Sequence, residues 1–159
     1  MTIRRPGGLA EEACTQSIIA AFFEVYNILR FGLLESAYRE ALALELEQRG
    51  HEVAREVSIR VFYNGQPIAW QRVDLVIDRT VIVEVKSTAK LPSIAVRQLH
   101  SYLHATRIEV GLLLHFGPEA KFYRLFSPNE DGEPASRADV EGNADKGSVV
   151  LSDRSDRSD

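Results

Sequence analysis

With 159 residues, 45% of them apolar and 26% charged, the chain has room for one domain around one core and the composition of an ordinary globular protein. Its single cysteine, Cys14, excludes an internal disulfide and fits a reducing cytosol, so a cytoplasmic location is expected. The net charge of −4 is uneven: nine acidic and four basic residues fall from Ser127 onward, which leaves residues 1–126 at +1 and without a strong electrostatic footprint for a polyanion.

Arg4 and Arg5 precede an apolar stretch, but Glu24 and Asn27 interrupt it and its apolar residues repeat with helical period. A helix is therefore expected rather than a targeting segment. No run approaches the length of a membrane span, and no membrane partner is expected. Ile18, Ile19, Phe22, Val25, Tyr26 and Leu29 predict an amphipathic helix over 11–30, which Gly32 breaks. Cys14, just before this stripe, reads as a buried, inert thiol. A second helix is expected over 34–49, with Gly50 as its stop.

The texture then changes to alternation over 53–63, closed by Asn64-Gly65, a strong hairpin signal. Strands over 68–77 and 81–86 flank Asp78-Arg79-Thr80. A helix over 93–106 follows Pro92, then strands over 109–116 and 121–126. The order predicts a mixed α/β domain over 1–126. From Ser127 the apolar density collapses, and residues 127–159 read as an acidic tail without regular structure. Val149-Val150-Leu151 is the one patch in it suited to docking on the core.

The second hairpin carries the candidate chemistry. A three-residue turn at Asp78-Arg79-Thr80 sets Asp74 opposite Glu84. It puts Val73, Leu75, Ile77, Val81, Val83 and Val85 on one apolar face, and Asp74, Val76, Ile82, Glu84 and Lys86 on the other. A two-residue turn would mix carboxylates with the core, so the apolar pattern selects the first register. Two adjacent carboxylates repel unless a cation neutralises them. A hard divalent ion such as Mg²⁺ takes oxygen ligands of this kind, and Lys86 could hold a water and stabilise charge on a phosphate. Each piece also has a bland reading: Glu-x-Lys is common by chance, and Asp74 alone could be an edge charge. Glu35 opens the second helix, where it would complement the helix dipole. Gln98 and Tyr102, four apart on the third helix, could simply border the core stripe of Val96, Leu99 and Leu103.

Taken together, Gly32-Leu33-Leu34-Glu35-Ser36-Ala37-Tyr38, Arg72-Val73-Asp74-Leu75, Glu84-Val85-Lys86, Gln98-Leu99, Tyr102-Leu103, Gly111-Leu112-Leu113 and His115-Phe116-Gly117 form an ordered set over roughly 12–126. The set resembles the GxxExxY proteins, a bacterial and archaeal group in the PD-(D/E)XK nuclease superfamily. The resemblance implies a restriction-endonuclease-like core, a central mixed β-sheet flanked by α-helices, that cuts phosphodiester bonds in nucleic acid, with DNA the expected substrate and Mg²⁺ or Mn²⁺ as cofactor. It implies Asp74, Glu84 and the Val85 carbonyl as metal ligands, with Lys86 catalytic and Glu35 a further acidic member. Tyr38, Arg72, Gln98 and Tyr102 are implied as substrate-binding or site-supporting residues. Arg30-Phe31 replaces the Gly-Pro that usually precedes Gly32, Tyr26 a common histidine, and His115 a common asparagine.

The rival reading is a catalytically silent module of the same fold that binds nucleic acid or a protein partner. A protein partner or a homodimer is open on these grounds. His100 and His104 have zinc-like helical spacing, but by helical angle they read as a core-boundary pair well away from Gln98 and Tyr102. His51 is expected in solvent, and His115 as a hydrogen-bonded structural residue. Gly7-Gly8 and Asn64-Gly65-Gln66 lack a phosphate-binding pattern, so no nucleotide cofactor is expected.

Overall fold

A computed structural model describes residues 8–128, 140–143 and 148–151. The first helix, α1, spans Gly8–Leu29, and α2 spans Glu35–Gln48. Strands β1 (Val53–Tyr63), β2 (Gln66–Ile77) and β3 (Val81–Lys86) follow as consecutive antiparallel neighbours. Helix α3 (Ala95–Thr106) then crosses to β4 (Val110–Phe116), which pairs parallel with β3, and β5 (Ala120–Phe126) returns antiparallel. Two four-residue strands, β6 (Val140–Asn143) and β7 (Ser148–Leu151), complete the sheet in the order β5-β4-β3-β2-β1-β7-β6. No helix among the described residues is long and apolar enough to cross a membrane.

The two hairpins form where the turn chemistry requires. Asn64 and Gly65 take positive φ (48° and 72°), as a tight hairpin of the primed type demands. Asp78 and Arg79 do the same (49° and 60°), and Leu75 pairs with Val83, Val76 with Ile82, and Ile77 with Val81. That is the expected register.

The sheet separates two apolar clusters. On one face Ile18, Phe22, Tyr38, Leu42 and Leu46 of α1 and α2 pack on Leu75, Ile77, Val81, Val83 and Val85. On the other, Leu99 and Leu103 of α3 pack on Val76, Ile82 and Leu113. Each fully buried Leu or Ile side chain contributes about 1.5–3 kcal/mol.

Val73 departs from the expected face and joins the α3 cluster with Val57 and Ile59. The cause is local: Glu56 adopts left-handed φ (49°), and the β1–β2 ladder skips from Arg55–Leu75 to Val57–Val73. Facing changes across that gap.

The expectation of a tail without regular structure fails at two segments. Residues 140–143 and 148–151 pair with each other, and Val150 and Leu151 pair with Ser58 and Ile59 of β1. The edge of β1 otherwise leaves backbone groups unpaired, which the Val149–Leu151 patch satisfies. The remainder of 129–159 lies outside the described residues.

Candidate metal centre and adjoining groove

The gap beside Asp74 occurs on both sides of β2. Toward β1 the ladder omits Glu56–Asp74, and toward β3 the paired positions end at Leu75–Val83. Backbone N–H groups there need other acceptors, and the two carboxylates provide them. Asp74 N–H donates to Glu84 Oε1 at 3.0 Å, and Val85 N–H donates to Asp74 Oδ2 at 2.8 Å. Each acid is thus pinned to the other strand's backbone.

Glu84 is only 8% exposed. Burial, then the neighbouring Asp74 charge, pushes its carboxyl up to about 8, with Glu35 adding repulsion while the Asp74 N–H and Lys86 oppose it. Glu35 and Lys86, both half-buried, therefore lie within the electrostatic reach of Glu84. Tyr102 lies in the same field: burial first, then the charges of Glu84 and Asp74, raises its phenol. Two oxygen donors fixed side by side, one of them buried, suit a hard divalent cation.

Sequence reasoning missed Arg39. Its guanidinium sits 3.3 Å from Asp74 Oδ1 and 3.6 Å from Glu56. The available signal, Arg39 four residues after Glu35 on α2, points to an exposed intrahelical pair rather than to a strand 35 residues away. Arg72 does not join the carboxylates; it is exposed and lies 3.8 Å from Glu56.

Tyr38 anchors the loop that precedes α2. Fully buried, it stacks on Phe116 with ring centroids 4.4 Å apart. Its hydroxyl donates to Arg30 O and accepts from Leu33 N–H at 3.1 Å. These bonds fasten the loop that leads into Glu35, the first residue of α2. Arg30, at φ 60°, and Gly32, at φ 123°, turn that loop. Left-handed geometry at Arg30 costs more than it would for glycine, which the Tyr38 bond helps offset.

Gln98 and Tyr102 open onto a groove between α3 and the β1–β2 strands, also lined by His100 and His104. The histidines are exposed and share this groove with Gln98 and Tyr102 instead of lying apart at the core margin. A groove wall made by one helix spans a wider arc than the narrow stripe that the helical angle suggested. His115 is a buried structural residue whose Nε2 lies 2.7 Å from Thr88 O, and Gly117 packs against its ring so closely that a Cβ would meet it at 2.7 Å.

His51 is not in solvent. Its Nδ1 lies 2.6 Å from Asp78 Oδ2 and its Nε2 2.7 Å from Ser17 Oγ. Cys14 Sγ donates to the same Asp78 oxygen at 3.5 Å, and Asp78 Oδ1 accepts from Glu52 N–H at 2.9 Å. Burial, then Asp78, drives the Cys14 thiol up to about 12, which matches an inert thiol. Cys14, His51 and Asp78 offer a thiol, an imidazole and a carboxylate within 4.8 Å of one another. The network clamps α1 and the α2–β1 loop to the β2–β3 turn, at the end of the hairpin away from Asp74.

The sequence matches no curated protein. A solved structure described as "Crystal structure of SSO0001" is similar at 22% identity over 60% of this chain, with a TM-score of 0.42, and this chain spans about half (54%) of its length. Residues 12–125 match the family model of the PD-(D/E)XK nuclease superfamily, a span that contains the crossed carboxylates, Glu35, Lys86 and the Gln98–Tyr102 face of α3. On that match over most of its length, the chain belongs to the PD-(D/E)XK nuclease superfamily.

Proposed function

We propose that this protein is a metal-dependent nuclease of the GxxExxY group that hydrolyses phosphodiester bonds of nucleic acid, with DNA the expected substrate, in the cytoplasm. Residues 1–126 form the nuclease-like domain and 127–159 an appended acidic segment. The observation that carries the reading is the crossed pair of Asp74 and Glu84, fixed by each other's strands with Lys86 alongside.

The donor set fits Mg²⁺ or Mn²⁺, held by Asp74, Glu84 and the Val85 carbonyl, with Glu35 extending the set. Such a cation polarises a phosphoryl oxygen and neutralises charge on the phosphate. Lys86 orients the attacking water by hydrogen bonding and stabilises the negative charge that builds as the water adds. Glu35 accepts a hydrogen bond from that water and aligns it. Gln98 and Tyr102 hold the substrate strand against the carboxylates, and Tyr38 keeps the Glu35 loop in place.

Calorimetric titration with Mn²⁺, beside cleavage assays on single- and double-stranded DNA and RNA, tests the proposal. Divalent-dependent cleavage is expected. A protein that binds no divalent ion with or without nucleic acid would instead be a non-catalytic module of the same fold.

A further inference from the structure

Cys14, His51 and Asp78 offer more than a hydrogen-bonded clamp requires. They bring a sulfur, an imidazole nitrogen and a carboxylate oxygen within 4.8 Å of one another. The three come from separate segments: α1, the α2–β1 loop and the β2–β3 turn. No step of phosphodiester cleavage uses them.

Donor chemistry sets this cluster apart from the Asp74–Glu84 pair. Two carboxylates suit a hard ion such as Mg²⁺. A thiolate and an imidazole select a softer ion, and Zn²⁺ accepts sulfur, nitrogen and carboxylate oxygen together. At the usual zinc bond lengths, the ligand atoms of a tetrahedral site stand about 3.3–3.6 Å apart. Cys14 Sγ and Asp78 Oδ2 already stand 3.5 Å apart. His51 Nδ1 lies closer to that oxygen, at 2.6 Å, because the two groups share a proton. That contact must open by about 0.7 Å once a metal takes the proton's place.

The outer contacts are also in place. His51 Nε2 lies 2.7 Å from Ser17 Oγ, a partner of the kind that fixes a ligating imidazole. Asp78 Oδ1 accepts from the Glu52 N–H at 2.9 Å, which leaves Oδ2 facing the sulfur and the imidazole. Cys14 is buried, while the Asp78 side chain is 36% exposed and gives an ion a way in.

We propose that Cys14 Sγ, His51 Nδ1 and Asp78 Oδ2 form a zinc site separate from the Asp74–Glu84 pair. Water completes the four-coordinate shell, and the ion staples α1 and the α2–β1 loop to the β2–β3 turn. Binding sends the Cys14 proton to solvent and leaves the imidazole proton on Nε2, which donates a hydrogen bond to Ser17 Oγ. Burial and the Asp78 charge keep the metal-free thiol protonated, so the sulfur becomes a thiolate only as the ion arrives. The site does not depend on the nuclease reading.

Co²⁺ serves as a spectroscopic substitute for Zn²⁺. Cys14 is the only cysteine in the chain, so a sulfur-to-cobalt charge-transfer band in the near ultraviolet reports on this cluster alone. Titration of the full-length protein should give that band at one Co²⁺ per chain. Zn²⁺ should bleach it, because zinc stands above cobalt in the affinity series; Mg²⁺ in roughly 100-fold excess should not. Cys14→Ser should abolish the band. His51→Gln and Asp78→Asn should each weaken Co²⁺ binding by about tenfold or more, and Ser17→Ala, which removes only the outer contact, by about tenfold. Asp74→Asn should leave the band unchanged. Zinc at roughly 100 times its Kd should raise the melting temperature of the parent by at least about 5 °C, with no such rise in Cys14→Ser that is folded by circular dichroism. Three results would overturn the proposal and leave the cluster a hydrogen-bonded clamp: no band in the parent, one cobalt bridging the thiols of two chains, or unchanged affinity in both His51→Gln and Asp78→Asn. Presence or absence of divalent-dependent cleavage bears on the nuclease reading alone.

Discussion

Glu84 accepts the backbone N–H of Asp74 at 3.0 Å, while Asp74 accepts the N–H of Val85, the residue after Glu84, at 2.8 Å. The exchange fixes both acids through main-chain bonds instead of through side-chain rotamers alone. It also brings two like charges together in a buried place, which opposes ionisation of Glu84. Arg39 offsets part of this at 3.3 Å from Asp74. Under the proposed function, the carboxylates are placed before any cation arrives, so a bound metal ion would meet donors that need little rearrangement.

Asp74→Asn and Lys86→Ala should both abolish divalent-dependent cleavage yet part ways in metal binding. Asn at 74 removes an ionic donor, so Mn²⁺ affinity should fall by roughly tenfold or more, about 1.4 kcal/mol. Ala at 86 removes a nearby cation that repels the metal, so affinity should hold or rise. Calorimetry beside the cleavage assay reads both. Retained cleavage in either variant, with the fold intact by circular dichroism, would show that this pair is not the active centre.

Under the proposed function, Arg39 would compete with a metal for Asp74, since both are cations drawn to one carboxylate. Arg39→Met keeps the aliphatic stem and removes the charge. Mn²⁺ affinity should then rise about three- to tenfold, a modest gain because the pair is partly exposed and solvent screens it. A fall in affinity would mean that Arg39 instead holds Asp74 in its ligating position. The salt dependence of the difference gives a second reading, as high ionic strength should shrink it.

Much of this was legible in the sequence because its signals were local. The apolar alternation of Leu75 to Val85 and the turn at Asp78-Arg79-Thr80 set a register that holds at Leu75–Val83. Val73 escaped the pattern because a left-handed residue on the neighbouring strand, Glu56, breaks the pleat, and nothing near Val73 in sequence signals it. Arg39 was missed, and His51 placed in solvent, for a related reason. Their partners, Asp74 and Asp78, lie 35 and 27 residues away, and helical or turn chemistry gives no sign of them. The pairing of residues 148–151 depends on an open strand edge, which composition does not encode.

Tyr38→Phe isolates the hydroxyl that fastens the α1–α2 loop. The phenyl ring keeps its stack on Phe116, but Arg30 O and Leu33 N–H lose their partner. Leaving part-buried groups unsatisfied costs about 1–3 kcal/mol, so the melting temperature should drop by about 2–12 °C for a domain of this size. Cleavage should fall further than stability accounts for, since Glu35 begins the helix that this loop positions. An unchanged melting temperature would show that Gly32 and the helix ends hold the loop without the hydroxyl.

The clamp at the far end of the hairpin gives the protein an acid-sensitive component that is separate from the Asp74–Glu84 pair. Burial alone would raise the Asp78 carboxyl, but hydrogen bonds with His51 and from the Glu52 N–H outweigh it and hold the group below its ordinary value. A carboxylate whose pKa is lower in the folded state than in the unfolded one binds fewer protons when folded. Its stabilisation is therefore complete above the unfolded carboxylate value of about 3.9 and is lost as pH falls through the lower, folded value. Asp78→Asn removes the charge while preserving size. At pH 7 the variant should melt several degrees below the parent, on the basis of about 1–3 kcal/mol for a weakened charged hydrogen-bond network. The gap should narrow as pH drops below about 4, because the parent then loses the same charge. His51→Gln should reproduce part of the loss at pH 7 and leave Mn²⁺ affinity unchanged. A parent–variant gap that stays constant from pH 7 to pH 3 would show that Asp78 acts through shape and neutral hydrogen bonding, with its charge contributing nothing.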